Sequence, residues 1–162
     1  MPDINIREAK AGDAVRMAEI LREIGWSETR NALPLEEVSG PIENLIEHCN
    51  RDKEGHTILV AADKDDTVIG FLNVHWVPFI MLGSLEGYVS DVFVSPSAGG
   101  MGVGKALVER VIEEGARRGC MRLMLTNGKE KLSYKTGFYK KLGWTERPSV
   151  ANFVYYYKEP WS

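Results

Sequence analysis

Gly99, Gly100, Gly102 and Gly104 stand close together, directly after a predicted strand and directly before a predicted helix. Glycine lets the backbone turn freely and brings its N–H groups close to a ligand. The first turn of the helix that follows adds N–H groups without helical partners and the positive end of the helix dipole. The stretch therefore predicts a cradle for a phosphate-bearing ligand.

Three phosphate-binding motifs compete for this stretch. The dinucleotide fingerprint G-x-G-x-x-G is not matched, because Gly100 to Lys105 reads G-x-G-x-G-K. A P-loop is matched from Gly99 to Lys105, but Ala106 then supplies no hydroxyl for magnesium. The third motif is the pyrophosphate loop of acetyl-CoA-dependent acyltransferases, Q/R-x-x-G-x-G/A, which is matched at its last two glycines. A turn without a ligand would explain one or two glycines more readily than this cluster.

A second motif lies downstream, where residues 138–144 read FYKKLGW, similar to F-Y-x-K-x-G-F/W. On these two motifs the chain resembles the GNAT superfamily of N-acetyltransferases, from about Ile4 to Tyr157. The resemblance implies acetyl-CoA as the cofactor. Its implied contacts are Val92, Phe93, Val94, Gly99, Gly100, Met101, Gly102, Val103, Gly104, Lys105 and, as a weaker substitute for a family asparagine, Asn127. One departure is Gly99, which stands where the family loop usually opens with Arg or Gln.

The resemblance also supplies catalytic candidates. Tyr139 matches the family tyrosine that donates a proton to the leaving thiolate, and a phenol with a pKa of about 10 stays protonated at neutral pH. Asp91 is the candidate base, in a strand where the family often carries an acidic pair, and Glu86 is a second carboxylate near it. Each also has a structural reading: Tyr139 as a packed aromatic, and Asp91 as an acceptor of backbone hydrogen bonds. His75 is a conceivable base, although packing is the commoner role for a lone histidine.

The acceptor side is less specific. Trp76 with Phe79, and Tyr155–Tyr157 with Trp161, form two aromatic clusters that could hold an amine or form a dimer interface. The resemblance places the helices after Gly25 at one wall of the acceptor site. Strict alternation puts Asp91 and Phe93 on one face of their strand and Tyr88 on the other, unless a bulge intervenes.

The pattern of strands and helices predicts one domain over residues 1–162, of the α/β (α+β) class. We expect a mixed, mostly antiparallel sheet flanked by helices, with a parallel strand pair that the family fold splays apart. The strand candidates include 57–62, 68–77, 85–94 and a closing strand at 153–157, and Gly40-Pro41 should break the helix that begins at Leu35. A last helix is expected from Ser133 to Leu142.

Composition narrows the class of protein. A formal net charge of −3 argues against nucleic-acid binding, and no apolar run is long enough to span a bilayer. Cys49 and Cys120 form no metal-ligand or redox motif, which favours a reducing cytoplasm and predicts no metal site. Composition thus favours the cytoplasm, and the resemblance implies an acetyl-CoA-dependent N-acetyltransferase. Its partner would be a small-molecule or peptide amine that attacks the thioester directly, and a homodimer is possible. The alternatives are a non-catalytic acyl-CoA-sensing module of the same fold and a P-loop nucleotide-binding protein.

Overall fold

The computed structural model describes residues 3–158 of the chain. The chain divides into two compact units between Leu125 and Thr126. The first unit contains a sheet and four helices, and the second contains two short helices. The single-domain organisation expected from the sequence stays a prediction.

The first unit is built on a five-stranded sheet in which each strand neighbours the next one along the chain. The strands are β1 (Asn5–Glu8), β2 (His56–Ala62), β3 (Val68–Phe79), β4 (Ser84–Val94) and β5 (Arg122–Leu125). The pairings from β1 to β4 are antiparallel, and β4 pairs with β5 in parallel. The predicted mixed, mostly antiparallel sheet is confirmed.

Helices cover both faces of this sheet. They are α1 (Ala14–Glu23), α3 (Leu35–Arg51) and α4 (Val103–Arg117), and the short helix α2 (Glu28–Asn31) lies between α1 and α3 in the chain. Met17, Ile20 and Ile46 from α1 and α3 form one buried cluster with Ile58 and Phe71 of the sheet. On α4 the side chains of Leu107, Val108 and Val111 are buried, and a Cβ added at Gly115 would lie 3.0 Å from Leu123 Cδ2. Close packing of α4 on the second face therefore depends on that glycine.

The predicted helix break at Gly40-Pro41 is wrong, because α3 runs unbroken through Pro41. Val38, Ile46 and Cys49 are buried on one side of the helix, a spacing that keeps one helical face towards the core. Gly40 also lacks the Cβ that normally clashes with a following proline ring. Burial on both sides of the proline thus outweighs the lost hydrogen bond.

A bulge interrupts β4 at Ser90. Asn73 lies opposite Asp91 and Val74 lies opposite Val89, so Ser90 has no partner residue on β3. Residues that lie opposite each other in an antiparallel pair project to the same face. Tyr88, opposite His75, and Asp91, opposite Asn73, therefore share a face, whereas strict alternation places them on opposite faces.

The second unit differs from two predictions. Instead of one helix from Ser133 to Leu142, it has α5 (Leu132–Lys135) and α6 (Phe138–Lys141). Gly137, at φ 66°, separates them, since a left-handed residue cannot continue a helix. The predicted closing strand is also wrong: residues 151–156 have no regular structure, and Phe153 and Tyr157 are exposed. High β-propensity needs a neighbouring strand to become a strand, and the described residues of the second unit form no strand.

Candidate active site

The parallel pair leaves part of β4 without a neighbour. Pairing between β4 and β5 runs from Glu86, opposite Arg122, to Val89, opposite Leu125. Beyond Val89, β4 continues to Val94 with β3 on one side, and within residues 3–158 no strand lies on the other. Backbone N–H and C=O groups on an open edge are free to pair with an extended ligand. Val92, Phe93 and Val94, which the sequence assigned to cofactor binding, belong to this open segment.

The glycine loop follows directly. A short 3-10 turn, Pro96–Ala98, leads to Gly100 and Gly102, whose φ angles of 77° and 82° lie in the region that favours glycine. Helix α4 then begins at Val103, and its first backbone bond runs from the Ala106 N–H to the Gly102 carbonyl, at 2.9 Å. Among the described residues, no protein group accepts a hydrogen bond from the N–H groups of residues 102–105. The loop therefore presents the donors that a pyrophosphate needs, without depending on side chains.

Asp91 lies at the start of the open segment, beside the bulge. Its Oδ2 accepts a hydrogen bond from Ser90 Oγ at 2.7 Å, and His75 Nε2 lies 3.0 Å from the same serine oxygen. Across the ladder, the buried Oδ1 of Asn73 has no hydrogen-bond partner among the described residues. This face of the sheet thus combines a carboxylate, an imidazole and a buried amide oxygen that accepts no hydrogen bond from the described residues.

Glu86 and Trp76 lie in different surroundings from those expected. The Glu86 carboxylate is buried and forms an ion pair with the Arg122 guanidinium, so a protein cation rather than a substrate amine occupies it. Trp76 is 3% exposed and donates through Nε1 to Thr57 Oγ1 at 2.9 Å. Because its ring belongs to the core, Trp76 is available neither to an acceptor amine nor to a dimer interface, the two roles that the sequence left open for it. The second aromatic cluster, Tyr155–Tyr157, is exposed, while Trp161 lies outside the described residues.

Tyr139 and Asn127 belong to the second unit. The Tyr139 ring lies 4.9 Å from the Phe138 ring and 5.9 Å from the Trp144 ring, centroid to centroid. Burial raises the pKa of the Tyr139 hydroxyl above its ordinary value, because the phenolate would lose solvation. Asn127 Oδ1 accepts a hydrogen bond from Ser133 Oγ at 3.1 Å. The tyrosine is thus suited to give a proton, and the asparagine also has a partner within its own unit.

Sequence reasoning did not single out Asn73, Ser90 or His56 as site residues. Each comes to this face through strand register and the bulge, which a residue pattern does not encode. The available signal was the Ser90-Asp91 pair, standing where the resemblance implies two adjacent acidic residues.

The geometry agrees with the family to which the chain belongs. The model of the acetyltransferase (GNAT) family matches residues 19–144, and the chain is a member of that family. It is 33% identical over 94 residues to glucosamine 6-phosphate N-acetyltransferase 1 of Oryza sativa subsp. japonica, covering 57% of this chain and 54% of that protein. It is 38% identical over 61 residues to glucosamine 6-phosphate N-acetyltransferase of Trypanosoma brucei brucei, covering 38% of this chain and 39% of that protein. The chain thus spans about half, or less, of the length of these curated relatives.

Among solved structures, a transcriptional regulator from Bacillus halodurans C-125 superposes with a TM-score of 0.77 at 26% identity. The superposition covers 96% of this chain and all of that one, 100%. Its fold is therefore shared along nearly the whole chain.

Residues 3–158 contain neither a membrane-spanning helix nor a cluster of metal-ligating side chains. No helix there is long and apolar enough to cross a membrane. No group of three or more histidine, cysteine or acidic side chains in that range is placed to hold a metal ion.

Proposed function

We propose that this protein is an acetyl-CoA-dependent N-acetyltransferase that moves an acetyl group to a primary amine by direct attack on the thioester. The observation that carries the proposal is the open edge of β4 at Ser90–Val94, which leads into the donor-lined glycine loop. Acyl transfer needs a held thioester, a neutral amine, stabilisation of the oxyanion and a proton for the leaving group. The following residues supply each of these.

The cofactor would be held mainly by backbone groups. The N–H groups of residues 102–105 fit a pyrophosphate because no acceptor within residues 3–158 competes for them, and the loop from Gly99 to Lys105 would enclose it. The open edge at Val92–Val94 fits an extended pantetheine arm, and one of its N–H groups is the proposed oxyanion donor. Asn127 is a further proposed contact. Bound acetyl-CoA supplies the activated acetyl group.

Proton transfer is assigned to Asp91 and Tyr139. Asp91 takes the proton from the attacking amine, because it is the carboxylate on the face that also carries Asn73 Oδ1. Tyr139 gives a proton to the leaving thiolate, for which its raised pKa keeps it protonated. Glu86, paired with Arg122, has no role in this mechanism.

The proposed acceptor is a small molecule or a peptide that carries a primary amine. Both curated relatives are named for glucosamine 6-phosphate, so this amino sugar is the first acceptor to test. We further propose a cytoplasmic enzyme that binds neither nucleic acid nor membrane. The exposed side chains of Phe153 and Tyr155–Tyr157 would contribute to a homodimer, which light scattering after gel filtration would detect.

The proposal is tested in two stages. Thermal unfolding is first compared with acetyl-CoA, CoA and ATP–magnesium; a ligand at a hundred times its Kd adds about 2.7 kcal/mol, which raises the midpoint by a few degrees. Thiol release is then followed with a panel of amines that starts with glucosamine 6-phosphate. A midpoint shift with ATP–magnesium alone would contradict the proposal, as would the absence of amine-dependent thiol release.

An Asp91→Asn variant tests the base directly. We expect kcat to fall by roughly 10²- to 10⁴-fold with unchanged acetyl-CoA binding. Asp65→Asn is the matched control, because Asp65 is an exposed carboxylate in the turn between β2 and β3. Equal activity of the two variants would remove Asp91 from the mechanism.

A further inference from the structure

The three histidines of the chain gather beside the bulge in β4. His56 Nδ1 on β2 lies 2.8 Å from His75 Nδ1 on β3, and the two rings meet edge to face. His48 on α3 contacts the His56 ring at 5.7 Å between centroids. His75 in turn lies 3.0 Å from Ser90 Oγ. The histidines therefore continue the contact between Ser90 and Asp91 away from the proposed reaction site.

The donor and acceptor of each contact follow from chemistry. An ionised carboxylate only accepts hydrogen bonds, and a hydroxyl has a single hydrogen. Ser90 gives that hydrogen to Asp91 Oδ2, so its oxygen must accept from His75 Nε2–H. A neutral His75 then has a bare Nδ1, which accepts from His56 Nδ1–H. In this series of hydrogen bonds, from His56 through His75 and Ser90, every donated hydrogen points towards Asp91.

At His56, this series of hydrogen bonds ends at solvent. In its neutral form His56 has no hydrogen on Nε2, and this atom lies 3.7 Å from Asp52 Oδ2, on an exposed side chain. A proton added at His56 Nε2 leaves the chain intact and faces a carboxylate. A proton added at His75 Nδ1 would set two N–H groups against each other at 2.8 Å and break it. The arrangement therefore requires a neutral His75.

The surroundings of His75 favour that form. Burial lowers its pKa, the neighbouring His56 lowers it further, and Asp91 acts in the opposite direction. The other groups that face this pair are the Tyr88 ring, stacked 6.2 Å from the His75 ring, and the His48 ring on the far side of His56. Electrostatics and hydrogen bonding thus agree on one protonation state.

We propose that His75 and His56 are positioning residues that act through Ser90 to orient Asp91 for deprotonating the acceptor amine. The inference rests on the proposed function, in which Asp91 is the base. With Oδ2 bound to Ser90, Oδ1 is the carboxylate oxygen left for the amine. As the bond from nitrogen to the acetyl carbon forms, the carbonyl oxygen would take up an electron pair and an N–H proton would move to Oδ1. The carbon–sulfur bond would then break, and the leaving thiolate would take its proton from Tyr139, while both histidines keep theirs. Outer partners that fix a reacting side chain in this way commonly contribute 10- to 100-fold to function.

The test uses the full-length protein in a double-mutant cycle. Ser90→Ala, His75→Leu and the double variant are compared for kcat, for KM of both substrates and for the thermal midpoint. We expect each single variant to lower kcat roughly 10- to 100-fold with little change in KM for acetyl-CoA. The double variant should lose no more than Ser90→Ala alone, because His75 acts only through Ser90. Losses that multiply would overturn the proposal.

Two further variants separate positioning from packing. His75→Gln keeps an N–H near the position of Nε2 and should retain most of kcat. If His75 acted only through packing, His75→Gln and His75→Leu would have the same kcat. His48→Gln, which changes a histidine that contacts the His56 ring and forms no hydrogen bond with His56 or His75, should leave kcat unchanged. If kcat fell as far in either variant as in His75→Leu, the proposed series of hydrogen bonds would be contradicted.

A readout independent of turnover is the tautomer of each histidine, measured by ¹⁵N NMR of the imidazole nitrogens. We expect hydrogen on Nε2 of His75 and on Nδ1 of His56. The opposite tautomers would overturn the proposed series of hydrogen bonds even if the enzyme were active. Expected tautomers in a protein that acetylates no amine would instead overturn the proposed function, and the catalytic part of this inference with it.

Discussion

Asn73 and Asp91 lie opposite each other on β3 and β4, at the point where Ser90 bulges out of the ladder. Asp91 Oδ2 already accepts a hydrogen bond from Ser90, but the buried Asn73 Oδ1 accepts none from the described residues. A buried acceptor without a partner is uncommon and calls for an explanation. A donor-rich ligand such as an amine, placed beside Asp91, would provide one.

Replacing Asn73 with leucine should therefore weaken binding of the acceptor. Loss of one hydrogen bond of about 1 kcal/mol raises KM for the amine roughly fivefold, while KM for acetyl-CoA stays unchanged. Stability should not fall, since an apolar side chain of similar size leaves no buried acceptor unpaired. Steady-state kinetics and urea unfolding measure both quantities.

Asn50→Leu is the matched control, because Asn50 Nδ2 donates to the Ala9 carbonyl at 3.0 Å. That variant should lose stability and keep both KM values. An Asn73→Leu enzyme with an unchanged amine KM would show that Asn73 does not contact the acceptor.

Gly99 offers a gain-of-affinity test, since it stands where related loops carry Arg or Gln. Its φ of −59° suits any residue, and an added Cβ would meet only the Pro96 carbonyl oxygen, at 3.2 Å. Gly99→Gln should add a donor for the pyrophosphate and lower the Kd for acetyl-CoA roughly fivefold, which corresponds to about 1 kcal/mol. Isothermal calorimetry measures the change.

The contrasting variant is Gly102→Ala, at φ 82°. A left-handed backbone costs about 1–2 kcal/mol for a residue with a Cβ, so this change should weaken binding and lower the thermal midpoint. Equal affinity of wild type, Gly99→Gln and Gly102→Ala would argue against the loop as the cofactor site.

The strands of the sheet, though not the closing strand expected at 153–157, and the glycine loop could be predicted because their signals are local. The run of β-branched and apolar residues at Thr57–Ala62 and the glycines after Val94 act on neighbouring residues, and the structure places β2 and the loop accordingly. Helix α3 could not be predicted as one continuous helix. The tendency of Pro41 to break a helix is local, and burial of Val38 and Ile46 on either side of it outweighs that tendency.

The arrangement around Asp91 depends on contacts distant in sequence. His56 and His75 are 19 residues apart, and they meet because β2 and β3 pair with these two residues directly opposite each other. The bulge at Ser90 then decides which face Asp91 occupies. A one-residue change in register reverses every side chain beyond it, so the sequence could nominate Asp91 but not its partners.

Acid should destabilise the fold through His75. Its pKa in the folded state is depressed below the ordinary 6.5, mainly by burial. Above pH 6.5 neither state is protonated at this residue and the stability is fully present. As the pH falls below 6.5, the unfolded chain takes up a proton that the folded protein resists, so the free energy of unfolding decreases.

Urea unfolding between pH 7.5 and 5.5 measures this slope. His75→Gln is the control, since glutamine does not titrate, and its stability should depend less steeply on pH over that range. His48 and Asp52 are present in both proteins, so the difference in slope reports on His75 together with its interaction with His56. Identical slopes would show that His75 titrates as it does in the unfolded chain.

Tyr139→Phe tests the proton donor in the second unit. The contacts of the Tyr139 ring with Phe138 and Trp144 do not depend on its hydroxyl group. The variant should therefore fold with nearly unchanged stability. Loss of the acid should lower kcat by roughly 10²-fold, with the Kd for acetyl-CoA unchanged. Because the raised pKa keeps the hydroxyl protonated through neutral pH, the deficit should be constant between pH 6 and 8.

The control is Tyr134→Phe, which removes a hydroxyl that donates to Glu146 Oε1 at 2.9 Å in the same unit and should keep kcat. Full turnover by Tyr139→Phe, with a deficit in Tyr134→Phe, would move the role of proton donor from Tyr139 to Tyr134.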